Sequence, residues 1–134
     1  MKNLFFLLSL ALILGAAKCK EEADLFFTLG DTFKLKLGEA GACTCKAVGI
    51  QFTAVTEDSR CPKNTNCVWA GEIKTSMIIN GTTYELKLGG DSKPAPPVEV
   101  EGYSVQLLEV NPYPVAGEKI DPASYVAKLI VKEK

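Results

Sequence analysis

Five cysteines are the residues of this sequence best equipped for chemistry, and their spacing divides them into three sets. Cys43 and Cys45 are separated only by Thr44. Two thiolates that close can hold Cu(I) or join a zinc site, and they can cycle between dithiol and disulfide. Either Cys43 bonds to Cys45 or both stay reduced. In an extended segment, Cα atoms two residues apart lie about 6.6 Å from each other, near the upper limit for a disulfide. A bond formed there would be strained, and strained bonds are labile. No Met or His lies nearby in sequence, so the primary expectation is no metal site, with Cys43 and Cys45 as a metal or redox alternative. Cys61 and Cys67 flank Pro62-Lys63-Asn64-Thr65-Asn66, a polar run rich in turn residues. A hairpin there brings the two sulfurs together, and a disulfide closing so small a loop adds only about 2 kcal/mol. A strand of about 11 residues separates Cys45 from Cys61 by roughly 35 Å, which argues against crossed pairings.

The chain contains no histidine. This removes Ser-His-Asp and Cys-His catalysis in their usual forms, His-containing zinc sites and the commonest general acid–base residue. No catalytic residue and no cofactor is assigned, and the expectation is a protein that is not an enzyme.

Cys19 stands apart from the other four. Met1-Lys2-Asn3 is a short basic start, Leu4 to Leu14 is apolar except for Ser9, and Gly15-Ala16-Ala17 are small. That order is the pattern of an export signal, assigned here to residues 1–18. As a helix the apolar run spans roughly 16 Å, too short for a bilayer core of about 30 Å. Of 15 basic residues, Lys2 and Lys18 leave with the signal, so 13 remain against 16 acidic ones, a charge of −3. A mildly acidic chain with no basic stripe is not expected to bind nucleic acid.

Cys19, following the small residues and followed by Lys20-Glu21-Glu22, resembles the start of bacterial lipoproteins, whose mature chain begins at a diacylated cysteine. Ala16 and Ala17 match the small residues of the lipobox; Lys18 departs from it. The Cys-Lys-Glu-Glu segment resembles the surface-export signal of some Gram-negative lipoproteins. The resemblance implies lipidation at Cys19, a membrane partner reached through the anchor, and an outer-membrane or cell-surface location, with a periplasmic or secreted soluble protein as the alternative. Parity agrees: with Cys19 lipidated, the remaining four cysteines are an even number.

The elements that must position these residues read as strands. Period-two alternation places Phe33, Leu35 and Leu37 on one face, and likewise Val48, Ile50, Phe52 and Ala54. The same pattern recurs at Ile73–Ile79, Tyr84–Leu88, Tyr103–Leu107 and Tyr125–Val131. Asn80-Gly81 predicts a tight I′ hairpin over 73–88. Pro94, Pro96 and Pro97 mark one exposed connection, Pro112 and Pro114 another, and Asp121-Pro122 opens a turn before the last strand. A strand is expected to begin at Val68, directly after the loop. Six to seven short strands predict an all-β antiparallel β-sandwich, with a small β-barrel as the alternative. Residues 19–30 form a tether and first-strand region, and 31–134 the sandwich domain.

Asp58-Ser59-Arg60-Cys61-Pro62 and Cys67-Val68-Trp69-Ala70-Gly71 together resemble a block found in small bacterial secreted proteins and lipoproteins. The resemblance implies an all-β exported domain with a Cys-loop and carries no activity. Within the block, Trp69 is expected to cover the bridge, and Arg60 to hold the loop through Glu57, Asp58 or Glu72. Arg60, Lys63, Asn64, Asn66 and Trp69 are the candidate recognition loop, weighed against a purely structural corner.

The expected function is an exported, lipid-anchored cell-envelope domain that binds or supports an envelope protein partner. The alternatives are a copper or redox site at Cys43 and Cys45, and a protease-inhibitor-like sandwich resting on architecture alone. Intact mass of the membrane-extracted protein should show a chain starting at Cys19 with acyl chains attached. A mature chain starting at Lys18 with an unmodified Cys19 would refute the assignment.

Overall fold

The computed structural model describes residues 22–134. The expected signal segment, 1–18, and the expected lipidation site, Cys19, lie outside the described residues. Nine strands occur in the order β1 (Leu25–Phe27), β2 (Thr32–Lys36), β3 (Ala40–Cys43), β4 (Gly49–Asp58), β5 (Glu72–Ile79), β6 (Thr82–Gly89), β7 (Val98–Val100), β8 (Tyr103–Asn111) and β9 (Val126–Glu133). They form a five-stranded sheet, β1-β3-β4-β5-β6, and a four-stranded sheet, β2-β9-β8-β7. The architecture is a β-sandwich, not a closed barrel. The only helix among the described residues is a 3₁₀ turn at Pro122–Ser124, whose N-cap Asp121 accepts from the Ala123 N–H.

Alternation builds the two layers. Ile73, Thr75, Met77 and Ile79 of β5 are buried, as are Ala127, Leu129 and Val131 of β9. Each strand gives one face to the space between the sheets and the other to solvent. The Thr75 hydroxyl, buried in that layer, donates to the Leu86 carbonyl at 2.9 Å. Phe27 of β1 stacks on Phe33 of β2 with centroids 4.0 Å apart, tying the two sheets at one margin.

The structure corrects the expected strand count, strand sense and one strand face. The strand count is nine rather than six or seven, because β1, β3 and β7 have only three or four residues, too few for alternation to register. The sandwich is not wholly antiparallel: β1 pairs in parallel with β3. The chain leaves β1 for the opposite sheet, forms β2 there and returns to its first sheet, so β3 runs in the same sense as β1. The face assigned to β4 breaks after Phe52. Register shifts fall between Phe52 and Ala54 and between Val55 and Glu57, and an extra residue on one strand turns the following side chains to the other face. Ile50 and Phe52 are therefore buried while Ala54 is half-exposed.

The Asn80-Gly81 hairpin forms with both residues at positive φ, 48° and 82°, as a I′ turn requires. Asn80 also acts beyond its own turn. Its Oδ1 accepts from the Gly49 N–H at 2.9 Å, and its Nδ2 donates to the Ala47 carbonyl at 3.0 Å and to Glu101 Oε2 at 2.7 Å. One side chain thus joins the β5–β6 turn, the entry to β4 and the β7–β8 turn. Replacing Asn80 with Gly keeps the turn conformation but removes these bonds; replacing it with Ala loses both. Urea unfolding should show a loss of about 1 kcal/mol for Asn80→Gly and a larger one for Asn80→Ala, with an unchanged m-value.

Candidate functional site

The loop between β4 and β5 is assembled on a buried arginine. Arg60 is only 3% exposed. Its Nε donates to Asp58 Oδ1 at 2.8 Å and its Nη2 to Asp58 Oδ2 at 2.7 Å, a two-pronged pair with the carboxylate two residues earlier. Nη1 donates to the Val110 carbonyl at 2.8 Å, and Nη2 also donates to the Pro112 carbonyl at 3.0 Å. The guanidinium carbon lies 4.8 Å from the centre of the Tyr113 ring, within cation–π range. Tyr113 in turn donates its hydroxyl to the Gly90 carbonyl at 2.7 Å. The Tyr125 hydroxyl donates to Asp58 Oδ2 at 2.9 Å. Planar guanidinium geometry suits this arrangement, because several acceptors lie in one fork.

Around this centre the backbone closes the base of the loop. The Ser59 N–H donates to the Glu72 carbonyl at 2.8 Å, and the Cys61 N–H to the Ala70 carbonyl at 3.1 Å. The Lys63 N–H donates to Pro114 at 2.9 Å, and Lys63 bridges Val115 in parallel. Two glycines permit the close fit. A Cβ at Gly71 would fall on the Ser59 carbonyl, and one at Gly90 on the Ala70 carbonyl.

The Cys61–Cys67 disulfide is present, with Cα atoms 5.9 Å apart. Beyond it the chain does not re-enter the sheet at Val68, as expected from sequence; β5 starts at Glu72. Gly71 takes a positive φ of 71°, and the chain turns into the ladder only there. Residues 63–70 are all exposed. Trp69 does not cover the bridge; it is 73% exposed and Val68 is 96% exposed. Cys67 is itself exposed, so the tip has no buried wall for the indole to join.

The candidate recognition residues therefore separate. Lys63, Asn64, Asn66 and Trp69 stand on the exposed loop, whereas Arg60 lies beneath it. Of the three acids considered for Arg60, only Asp58 pairs with it. Glu57 and Glu72 instead hold Lys74, at 2.9 Å and 3.1 Å. The hydrogen bond to Glu57 leads in raising the Lys74 pKa above its ordinary value.

No family model, curated protein or solved structure matches the chain. Beside the loop lies a cleft of about 440 Å³ lined in part by Leu37, Val55, Glu57, Asp58, Ile120 and Tyr125. Its titratable groups are turned to each other or to Lys74. Among the described residues, no group of three or more His, Cys, Asp or Glu side chains is placed to hold a metal ion.

Cys43 and Cys45 are bonded to each other with Cα atoms 5.0 Å apart. The expected separation of about 6.6 Å assumed an extended segment, but β3 ends at Cys43 and the chain turns at Thr44 and Cys45. The span-based reason for strain therefore does not apply. Both thiols are consumed by the bond, so Cu(I) binding by this pair would require prior reduction.

Sequence reasoning missed Tyr113, Tyr125 and Gly90 as parts of the loop's support. Tyr113 had one local signal, its place between Pro112 and Pro114. The other two contribute through contacts with chain distant in sequence.

The Asp58 network predicts a pH dependence. Burial pushes the Asp58 pKa up and is the largest single influence. The Arg60 hydrogen bond, the Tyr125 hydrogen bond and the Arg60 charge together outweigh it, leaving the pKa below its ordinary value. The stability this carboxylate contributes is thus fully present above about 4 and is lost as pH falls through the depressed value. Tyr125 is pushed up to about 12, first by burial and then by the Asp58 hydrogen bond and charge. Its contribution is present below about 10 and is lost as pH rises toward the elevated value. In Tyr125→Phe, acid unfolding should begin at higher pH and the alkaline loss should shrink, as read from urea midpoints across the pH range. Arg60→Met should cost about 3–5 kcal/mol, because it strands the Asp58 charge.

Proposed function

We propose that this chain is an exported, lipid-anchored envelope domain that binds a protein partner through the exposed loop 63–70. The two disulfides fit an oxidising compartment outside the cytoplasm, and no helix among the described residues is long and apolar enough to cross a membrane.

One observation carries the binding reading: Val68 and Trp69 stand in solvent, at 96% and 73% exposure, on a loop whose base is fixed from beneath. Exposing two adjacent large apolar side chains costs solubility and adds nothing to this fold. Interfaces use such groups: tryptophan is enriched among the few residues that dominate binding energy, and it anchors by filling a pocket on the partner. Rigid support improves the anchor, because little loop ordering remains to oppose association. The Arg60 network and the Cys61–Cys67 bond supply that support. Lys63, Asn64 and Asn66 form a polar border able to hydrogen-bond around the apolar contact. The mode is recognition, and no residue is assigned a catalytic step.

The full-length protein is expressed in its native envelope with a photo-crosslinking amino acid replacing Trp69, or Thr83 on β6 as a control. The expected result is one discrete protein adduct from position 69, abolished by Val68→Ser, and none from position 83. Trp69→Ala should leave stability within about 0.5 kcal/mol of the parent, as for an exposed residue outside the core. Equal labelling at the two positions, or marked destabilisation by Trp69→Ala, would overturn the reading.

A further inference from the structure

We propose that the Cys43–Cys45 disulfide is a thiol–disulfide exchange site whose partner is a protein dithiol, with exposed Cys45 as the sulfur attacked and buried Cys43 as the leaving sulfur.

The bond is redundant in the architecture of its turn. The Thr44 N–H donates to the Phe27 carbonyl at 2.8 Å, the Lys46 N–H to the Cys43 carbonyl at 2.8 Å, and the Cys43 N–H to the Val48 carbonyl at 2.7 Å. These bonds tie β1, the turn and the start of β4 without help from sulfur. The disulfide encloses a single intervening residue, so it restrains the unfolded chain less than the loop of Cys61 and Cys67 does. Breaking it leaves every backbone link of the turn in place.

The two sulfurs have unequal surroundings, as exchange requires. Cys43 is 1% exposed, whereas Cys45 belongs to the exposed turn. An incoming thiolate can therefore reach Cys45 and not Cys43. The leaving sulfur already has a donor: the Cys45 N–H lies 3.0 Å from Cys43 Sγ. A backbone N–H aimed at the departing sulfur can hydrogen-bond the thiolate as it forms.

One thiolate of the partner dithiol attacks Cys45 Sγ, forming an intermolecular S–S bond as the Cys43–Cys45 bond breaks. The electron pair of the broken bond goes to Cys43 Sγ, which becomes a thiolate. The partner's second thiolate then attacks the partner sulfur of the mixed disulfide and releases Cys45 as a thiolate. Two electrons have passed from the partner dithiol to the cysteine pair, and the partner is left as a disulfide.

This site lies at the opposite end of β4 from the recognition loop, so its test is independent of the binding proposal. Purified domain is equilibrated in glutathione redox buffers, quenched by alkylation and mapped by mass. Cys43 and Cys45 should become half reduced at a glutathione ratio about tenfold or more on the oxidising side of that for Cys61 and Cys67, with circular dichroism unchanged. In Cys43→Ser, the remaining Cys45 should form a mixed disulfide with oxidised glutathione about tenfold or more faster than Cys43 does in Cys45→Ser. The double serine variant, whose circular dichroism should match the parent's, separates loss of exchange from loss of fold. Reduction of both disulfides at the same ratio, unfolding on reduction of the Cys43–Cys45 bond, or equal rates in the two single variants would overturn the proposal.

Discussion

The Asp58–Arg60 ion pair is the constraint on which the upper end of the sandwich depends. Side chains of the pair are 11% and 1% exposed, so both charges have left most of their water. Such a pair is tolerable only when its remaining hydrogen-bonding capacity is also met. Here the backbone carbonyls of Val110 and Pro112 and the hydroxyl of Tyr125 meet it. The need to satisfy one buried guanidinium therefore brings together the end of β4, the end of β8 and the entry to β9. Alternatives that leave any of the three unpaired are penalised. The loop above inherits its fixed position from this requirement more than from its own short disulfide.

The lower end of the molecule is organised differently. No charge is buried among the contacts that define the β3–β4 turn, and Asn80 does the linking through neutral amide bonds and one contact to Glu101. Its amide nitrogen is already committed twice. The Asn80-Gly81-Thr82 sequence, which matches a glycosylation acceptor, is thus explained by turn geometry and by cross-strand bonding. The two ends of β4 carry two cysteine pairs with different settings: one caps an exposed apolar loop, and the other joins a buried sulfur to an exposed one.

Much of the frame was legible because it depends on short-range rules. The 73–88 hairpin follows from Asn80-Gly81 and from the alternation on either side. β9 follows from Ala127, Leu129 and Val131, and the turn before it from Asp121-Pro122. The Cys61–Cys67 bond follows from the polar run between the two residues. What was not legible depends on length or on distance. Ala-Gly-Ala-Cys gives β3 no strand signature, and three residues give β1 and β7 almost none. The burial of Arg60 is set by Val110, Pro112 and Tyr125, which lie 50 to 67 positions from their partners in the pair. No local pattern marks them. The exposure of Val68 and Trp69 was hidden for a related reason: alternation reads apolar residues beside a cysteine as strand, and only the close approach of Gly71 to Ser59 shows where the strand starts.

The parallel pairing of β1 with β3 has a mechanical consequence. β1 is the first strand of the described chain, so tension entering the domain from its N-terminal side reaches this strand before any other. Three register pairs hold it to β3, with further bonds between Asp24 and Ala40 in both directions. Tension along the strand axis loads these bonds together, in shear, whereas a pull across the sheet would open them one after another. The Phe27–Phe33 stack adds resistance from the opposite sheet. If β1 yields, the pairings of the other eight strands do not depend on it. A domain of this build, pulled from its N-terminal side, can therefore release its first strand as a short extension while the two-layered remainder continues to bear load.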